Sequence, residues 1–266
     1  MGKKLIVLLV IVASGLGIAF WLYEPEQPAP PPVVAAPPPP PAEVTPPPVP
    51  VERYPIVAAD PAAAPAPLPE LEQSDALYSQ ALAKLFGKKT LASLFYSEGM
   101  IRRFVATIDN LPRQQPLARM MPVKPVAGSF LVDRKDGRLS IAPANERRYA
   151  GYLKVMLAVE PQRLVDTYVS FYPLFQKAYR ELGYPNGFFN DRLIEAIDDL
   201  LATPDVAPPI ALEQPKVLYT YADQSLEARS AGQRIMLRMG AENRAKASQA
   251  LQAIRQELLS RSPARG

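Results

Sequence analysis

The chain of 266 residues carries 30 Lys plus Arg against 26 Asp plus Glu, a net charge of +4, and it holds 32 Pro but no His and no Cys. Without those two residue types there is no Ser-His-Asp or Cys-His catalysis, no zinc finger, no haem held by their side chains and no disulfide. A charge this small and this dispersed is not the dense basic stripe of a nucleic-acid binder, so nucleic acid is not an expected partner, and no cofactor or metal is implied.

Residues 5–23 read LIVLLVIVASGLGIAFWLY without a charge. At about 1.5 Å per residue, roughly 19 residues just cross a hydrocarbon core of about 30 Å, so this segment is expected to be a transmembrane anchor. Lys3 and Lys4 precede it while Glu24 and Glu26 come after it. That asymmetry keeps residues 1–4 in the cytoplasm and exports the chain beyond Tyr23, giving a single-pass protein of the cell inner membrane with its C-terminal domain in the periplasm. The small residues Ala13, Ser14, Gly15 and Gly17 raise the alternative of a cleaved signal peptide. Against it, the apolar run continues through Ile18, Phe20 and Leu22, whereas a peptidase site closes an apolar core.

Residues 24–69 are mostly Pro, Ala, Val and Glu, with runs at 37–41 and 46–48. So few large apolar side chains cannot offset the entropy of ordering, and Pro joins neither a helix interior nor a central strand, so a disordered, polyproline-II-like spacer is expected. At about 3.1 Å per residue it reaches on the order of 140 Å when extended.

Residues 70–266 have the ordinary composition of one domain with a sizeable core. Ser74 caps a first helix that ends at Gly87. A second is expected from about Thr90 to Leu111, closed by Pro112. Phe130 and Val132 alternate against Leu139 and Ile141 across Asp136-Gly137, a hairpin signal. A helix then opens at Ala144 or Asn145. Pro161 starts the next, which runs to Leu182 with Pro173 kinking or splitting it. Asn190 caps a helix carrying Leu193, Ile194, Ile197, Leu200 and Leu201. A second strand pair is expected at 209–212 and 216–221, and after it helices at about 226–239 and 242–260. The fold class is α+β and predominantly helical, with short antiparallel hairpins.

Within this domain, the segment YPLFQKAYRELGYPNGFFNDRLIEAIDDLLATP at 172–204, with PKVLYTYADQSLEARSAGQRIMLRMG at 215–240 and LPELEQSDAL at 68–77, resembles the proteobacterial family numbered 3014 among the domains of unknown function. The resemblance implies an envelope protein with an N-terminal span and a Pro-rich spacer. It supplies no catalytic residues.

The candidate binding residues lie in that segment. The loop at 184–189 could present Tyr184, Asn186 and Phe188 to a glycan or peptide, although Pro185-Asn186-Gly187 is also ordinary turn chemistry and Phe189 with Ile194 fits a hydrophobic staple. On the next helix Asp191, Glu195 and Asp198, with Asp199 beside them, share a face opposite the leucines, where a solvated surface competes with a cation site or a hydrolase pair. Gly87-Lys88-Lys89-Thr90 lacks the upstream Gly of a phosphate-binding loop, and Ser-x-x-Lys is absent. The expected function is a non-catalytic binding or scaffolding module for an envelope protein or an anionic envelope polymer. The rival is a carboxylate-dependent cell-wall or polysaccharide hydrolase, recognisable by two acids from different elements facing each other about 5 to 10 Å apart.

Overall fold

The computed structural model describes residues 51–56, 67–114 and 120–262. The apolar run at 5–23 and most of the Pro-rich segment lie outside them. Among the described residues no helix is long and apolar enough to cross a membrane.

A single 3-10 turn at Leu71–Gln73 leads into α1 (Asp75–Phe86), then α2 (Lys88–Leu94) and α3 (Met100–Asn110). Next come β1 (Val132–Lys135), β2 (Arg138–Ile141), α4 (Asn145–Leu157), α5 (Pro161–Glu181) and α6 (Phe189–Leu201). The chain finishes with β3 (Ala211–Glu213), β4 (Thr220–Tyr221), α7 (Gln224–Glu227), α8 (Ala231–Arg238) and α9 (Ala241–Ser260).

The centre of the domain is α5, against which α1, α3, α6 and α9 pack. Its buried face is aromatic. Phe175 stacks on Phe189 with ring centroids 5.7 Å apart, and Phe104, Tyr168 and Tyr78 close around it edge-on or tilted. Such pairs add about 0.5 to 1.5 kcal/mol each beyond the area they bury. Pro173 does not break the helix, which is continuous from Pro161 to Glu181.

One antiparallel sheet, ordered β1-β2-β3-β4, joins both expected strand pairs through Leu139 opposite Leu212. Asp136 (φ 51) and Gly137 (φ 74) supply the two left-handed residues of the β1–β2 turn, as its sequence requires. A second, smaller core of Ile210, Leu212, Tyr221, Leu226 and Leu237 lies between this sheet and α7–α8.

Two expected helices are each divided. The 90–111 helix is α2 and α3, because Phe95 is extended (φ −102, ψ 156), Gly99 is left-handed (φ 61), and Asp75 accepts the Gly99 and Met100 amides at 2.7 and 2.9 Å. The apolar spacing continues across this gap, so periodicity alone does not disclose it. The 226–239 helix is α7 and α8, because Ser230 is extended and its hydroxyl accepts the Gln233 amide, restarting the helix. Ser74, by contrast, is no side-chain cap: its hydroxyl donates to the Leu71 carbonyl.

Residues 51–56, within the range assigned to the spacer, lie along the folded domain. The Arg53 and Tyr54 amides donate to Asp191, Asn190 Nδ2 donates to the Tyr54 carbonyl at 2.8 Å, and Ser262 Oγ donates to the Pro55 carbonyl at 2.9 Å. Tyr54 and Ile56 pack on the main core.

Candidate functional site

The α5–α6 loop is built inward. Gln176 on α5 donates Nε2 to the Gly187 carbonyl at 2.7 Å and accepts the Phe189 amide on Oε1 at 2.8 Å, so a side chain from the preceding helix caps α6. Asn190 is therefore not the cap. It is fully buried one residue inside the helix, accepting the Tyr168 hydroxyl at 3.1 Å while its amide holds Tyr54. Phe189 is fully buried as the first residue of α6, not at the position before the cap that a staple requires. Tyr184 stacks on Tyr179 at 4.6 Å, and its hydroxyl donates to Asp109 Oδ2 at 3.2 Å. Asn186 is exposed on the turn, and Phe188 is half-buried at the N-cap position of α6.

The carboxylates of α6 are not one solvated face. Asp191 is buried and receives the backbone of 53–54. Asp198 takes a two-pronged contact from Arg255 of α9. Asp199 accepts Ser230 Oγ at 2.6 Å and Gln233 Nε2 at 3.3 Å. Burial pushes the Asp199 carboxyl up and the Ser230 hydrogen bond opposes it. Glu195 is exposed and pairs with Arg192 at 3.0 Å. Each of these acids thus connects α6 to another element or to its own surface.

Sequence reasoning missed Asp109, the acid on which several of these contacts converge. At 4% exposure it accepts Arg113 on both oxygens at 3.1 and 2.9 Å, Arg192 Nε at 3.1 Å and the Tyr184 hydroxyl. The i,i+4 spacing of Asp109 and Arg113 was the available signal. The six residues chosen from sequence do not form one site: Tyr184 and Glu195 belong to the Asp109 cluster, Asp191 and Asp198 bind other segments, and Asn186 and Phe188 remain at the turn.

An open concavity lies elsewhere, between α1 and α2. It is a groove of about 770 Å³ whose described lining includes Lys84, Lys88 and Lys124 and no acid, with Tyr96, Leu91 and Phe95 along its side. The chain places Lys124 there by pairing: Phe95 bridges Val123, and the Tyr96 and Lys124 amides donate to the Pro122 and Leu94 carbonyls at 2.9 Å each. Lys124 Nζ also donates to the Ala92 carbonyl at 2.7 Å, close to the negative end of α2. Tyr96 is 38% exposed, with the Arg103 guanidinium 5.0 Å from its ring centre. Three lysines lining one hollow favour an anion there. Among the described residues no group of three or more Asp or Glu side chains is arranged to hold a metal ion.

These features define a helix-rich α+β domain with a cationic groove and an N-terminal strap packed on its core. The chain belongs to the family described as Protein of unknown function (DUF3014), whose model matches residues 100–255, more than half of its length. No curated protein and no solved structure matches it.

Proposed function

We propose that this protein is a non-catalytic binding module, held to the cell inner membrane by residues 5–23 and extended into the periplasm, that captures an anionic component of the envelope in the groove between α1 and α2. The observation that carries the reading is the set Lys84, Lys88 and Lys124 around one hollow with no acid in its described lining. A single exposed ion pair contributes about 0 to 1 kcal/mol, so useful affinity needs several cations acting together and should weaken with salt.

The full chain in phosphatidylcholine nanodiscs should bind fluorescent dextran sulfate in a salt-sensitive way. The Lys84→Glu, Lys88→Glu, Lys124→Glu combination should reduce that binding at least tenfold, while Lys135→Glu with Arg138→Glu on the sheet should not. Equal losses from both sets would reject the groove. For the address, alkaline phosphatase fused after Leu71 should be active outside the cytoplasm, and a cytoplasmic reporter signal would reverse it.

A further inference from the structure

Behind the groove lies a second space. A cavity of about 100 Å³ sits among α1, α5, α6 and α9, walled by Phe86, Phe95, Phe104, Leu164 and Ile254, with Thr167, Tyr78 and Tyr168 as the polar residues of its lining. Phe95 borders both the cavity and the lysine groove. Its ring lies 5.9 Å from that of Phe86, and neither residue is fully buried. The side chain shared by the lysine-lined hollow and the apolar one is therefore that of Phe95, with Phe86 beside it on the cavity side.

We propose that the groove and the cavity form one bipartite site for a single-chain anionic amphiphile. Its carboxylate rests among Lys84, Lys88 and Lys124, and its hydrocarbon tail passes Phe95 and Phe86 into the cavity. The inference rests on the groove being the binding site and names the chemical class of its ligand. Two physical facts select that class. The lysines complement an anion, which an uncharged lipid lacks. An apolar cavity of this kind stays dry and takes apolar atoms, as an engineered cavity of about 150 Å³ takes benzene. Counting each methylene at about 30 Å³, the share of a water molecule in the liquid, the cavity holds roughly three or four of them. Each should raise affinity about fourfold, so binding should strengthen steeply over the first few carbons and then level off.

The test uses the full chain in phosphatidylcholine nanodiscs and a decanoate carrying a diazirine at its tail, with labelled peptides located by mass spectrometry. Label is expected on the peptides bearing Phe86, Phe95 and Leu164, in addition to any on the anchor. Octanoate should suppress that domain label at a concentration at least tenfold lower than acetate, and octanol should be much weaker than octanoate. Leu164→Phe or Ile254→Phe, whichever retains the wild-type melting profile, should lower octanoate affinity without changing that of acetate. If octanoate is no better than acetate while dextran sulfate still binds, the amphiphile is wrong and the anionic groove stands. If no anion protects these peptides and dextran sulfate fails as well, both readings fall. Label confined to residues 5–23 overturns the bipartite site directly.

Discussion

Asp191 of α6 accepts the backbone amides of Arg53 and Tyr54 at 2.8 Å each, joining points 138 and 137 residues apart. A segment rich in Pro is tied there because a buried carboxylate needs donors and the extended strap offers two successive amides. Residues 51–56 therefore contact the domain at the start of α6 and near Ser262.

Asp191→Ala removes both acceptors. Hydrogen bonds to a charged group contribute about 1.5 to 3 kcal/mol, so the variant should lose stability on that order. Tryptic cleavage after Arg53 should also accelerate, visible in a timed digest of the full chain. Unchanged cleavage would mean that the Asn190 and Ser262 hydrogen bonds and the packing of Tyr54 and Ile56 hold the strap without Asp191.

Asp109→Ala should be the costlier change. It removes the buried acid facing Arg192, whose side chain is 13% exposed and which keeps the exposed Glu195, and breaking one side of a buried pair costs about 3 to 5 kcal/mol. Denaturant titration measures this. A loss below about 1 kcal/mol would show that Arg192 re-solvates freely.

Phe188 and Ile197 separate the loop from the core. Ile197 is 0% exposed, so Ile197→Ala should cost about 2 to 4 kcal/mol, whereas half-buried Phe188→Ala should cost less than about 1.5 kcal/mol. Thermal melts of the two variants rank them. Equal losses would assign Phe188 to the core.

Gly187 is required for space. A Cβ there would lie 2.9 Å from Tyr179 Cε1 and 3.1 Å from Tyr184 Cβ, against the stacked tyrosine pair. Gly187→Ala should therefore destabilise by about 1 to 3 kcal/mol, measured in urea, with near-ultraviolet circular dichroism reporting the displaced rings.

Alkaline pH should destabilise the domain through its buried tyrosines. Burial pushes Tyr179 and Tyr221 up to about 12 from an ordinary value of 10.0. The folded state then binds more protons than the unfolded chain, so their contribution is present below pH 10 and is lost as pH rises toward 12. Melting temperature should fall across that window with tyrosinate absorbance appearing on unfolding, and Tyr179→Phe should make the fall shallower.

Local chemistry made much of the architecture legible. The Asp136-Gly137 turn, the start of α5 at Pro161 and the apolar stripe of α6 all depend on residues within one or two turns of each other. Helix breaks were harder. The apolar period runs on past Phe95, and only the remote carboxylate of Asp75 and the bridge to Val123 reset the chain there. The cap at Asn190 failed for the same reason, because Gln176 from α5 takes the amide at the start of α6 and frees Asn190 to bind Tyr54, whereas the Ser74 hydroxyl donates locally to the Leu71 carbonyl.

The site was the least legible part. Asp191, Asp198 and Asp199 look like one acidic face because α6 spaces them so, and their separate partners lie on the strap, on α9, and at Ser230 and Gln233 at the start of α8. Lys84 and Lys88 are near neighbours in sequence, whereas Lys124 joins them only through the pairing of Phe95 with Val123. Helix faces and turns depend on short-range spacing and could be read in order along the chain. A groove and a buried acid depend on which distant donors and cations packing brings within a few ångströms, and that proximity arises only when the helices close around α5.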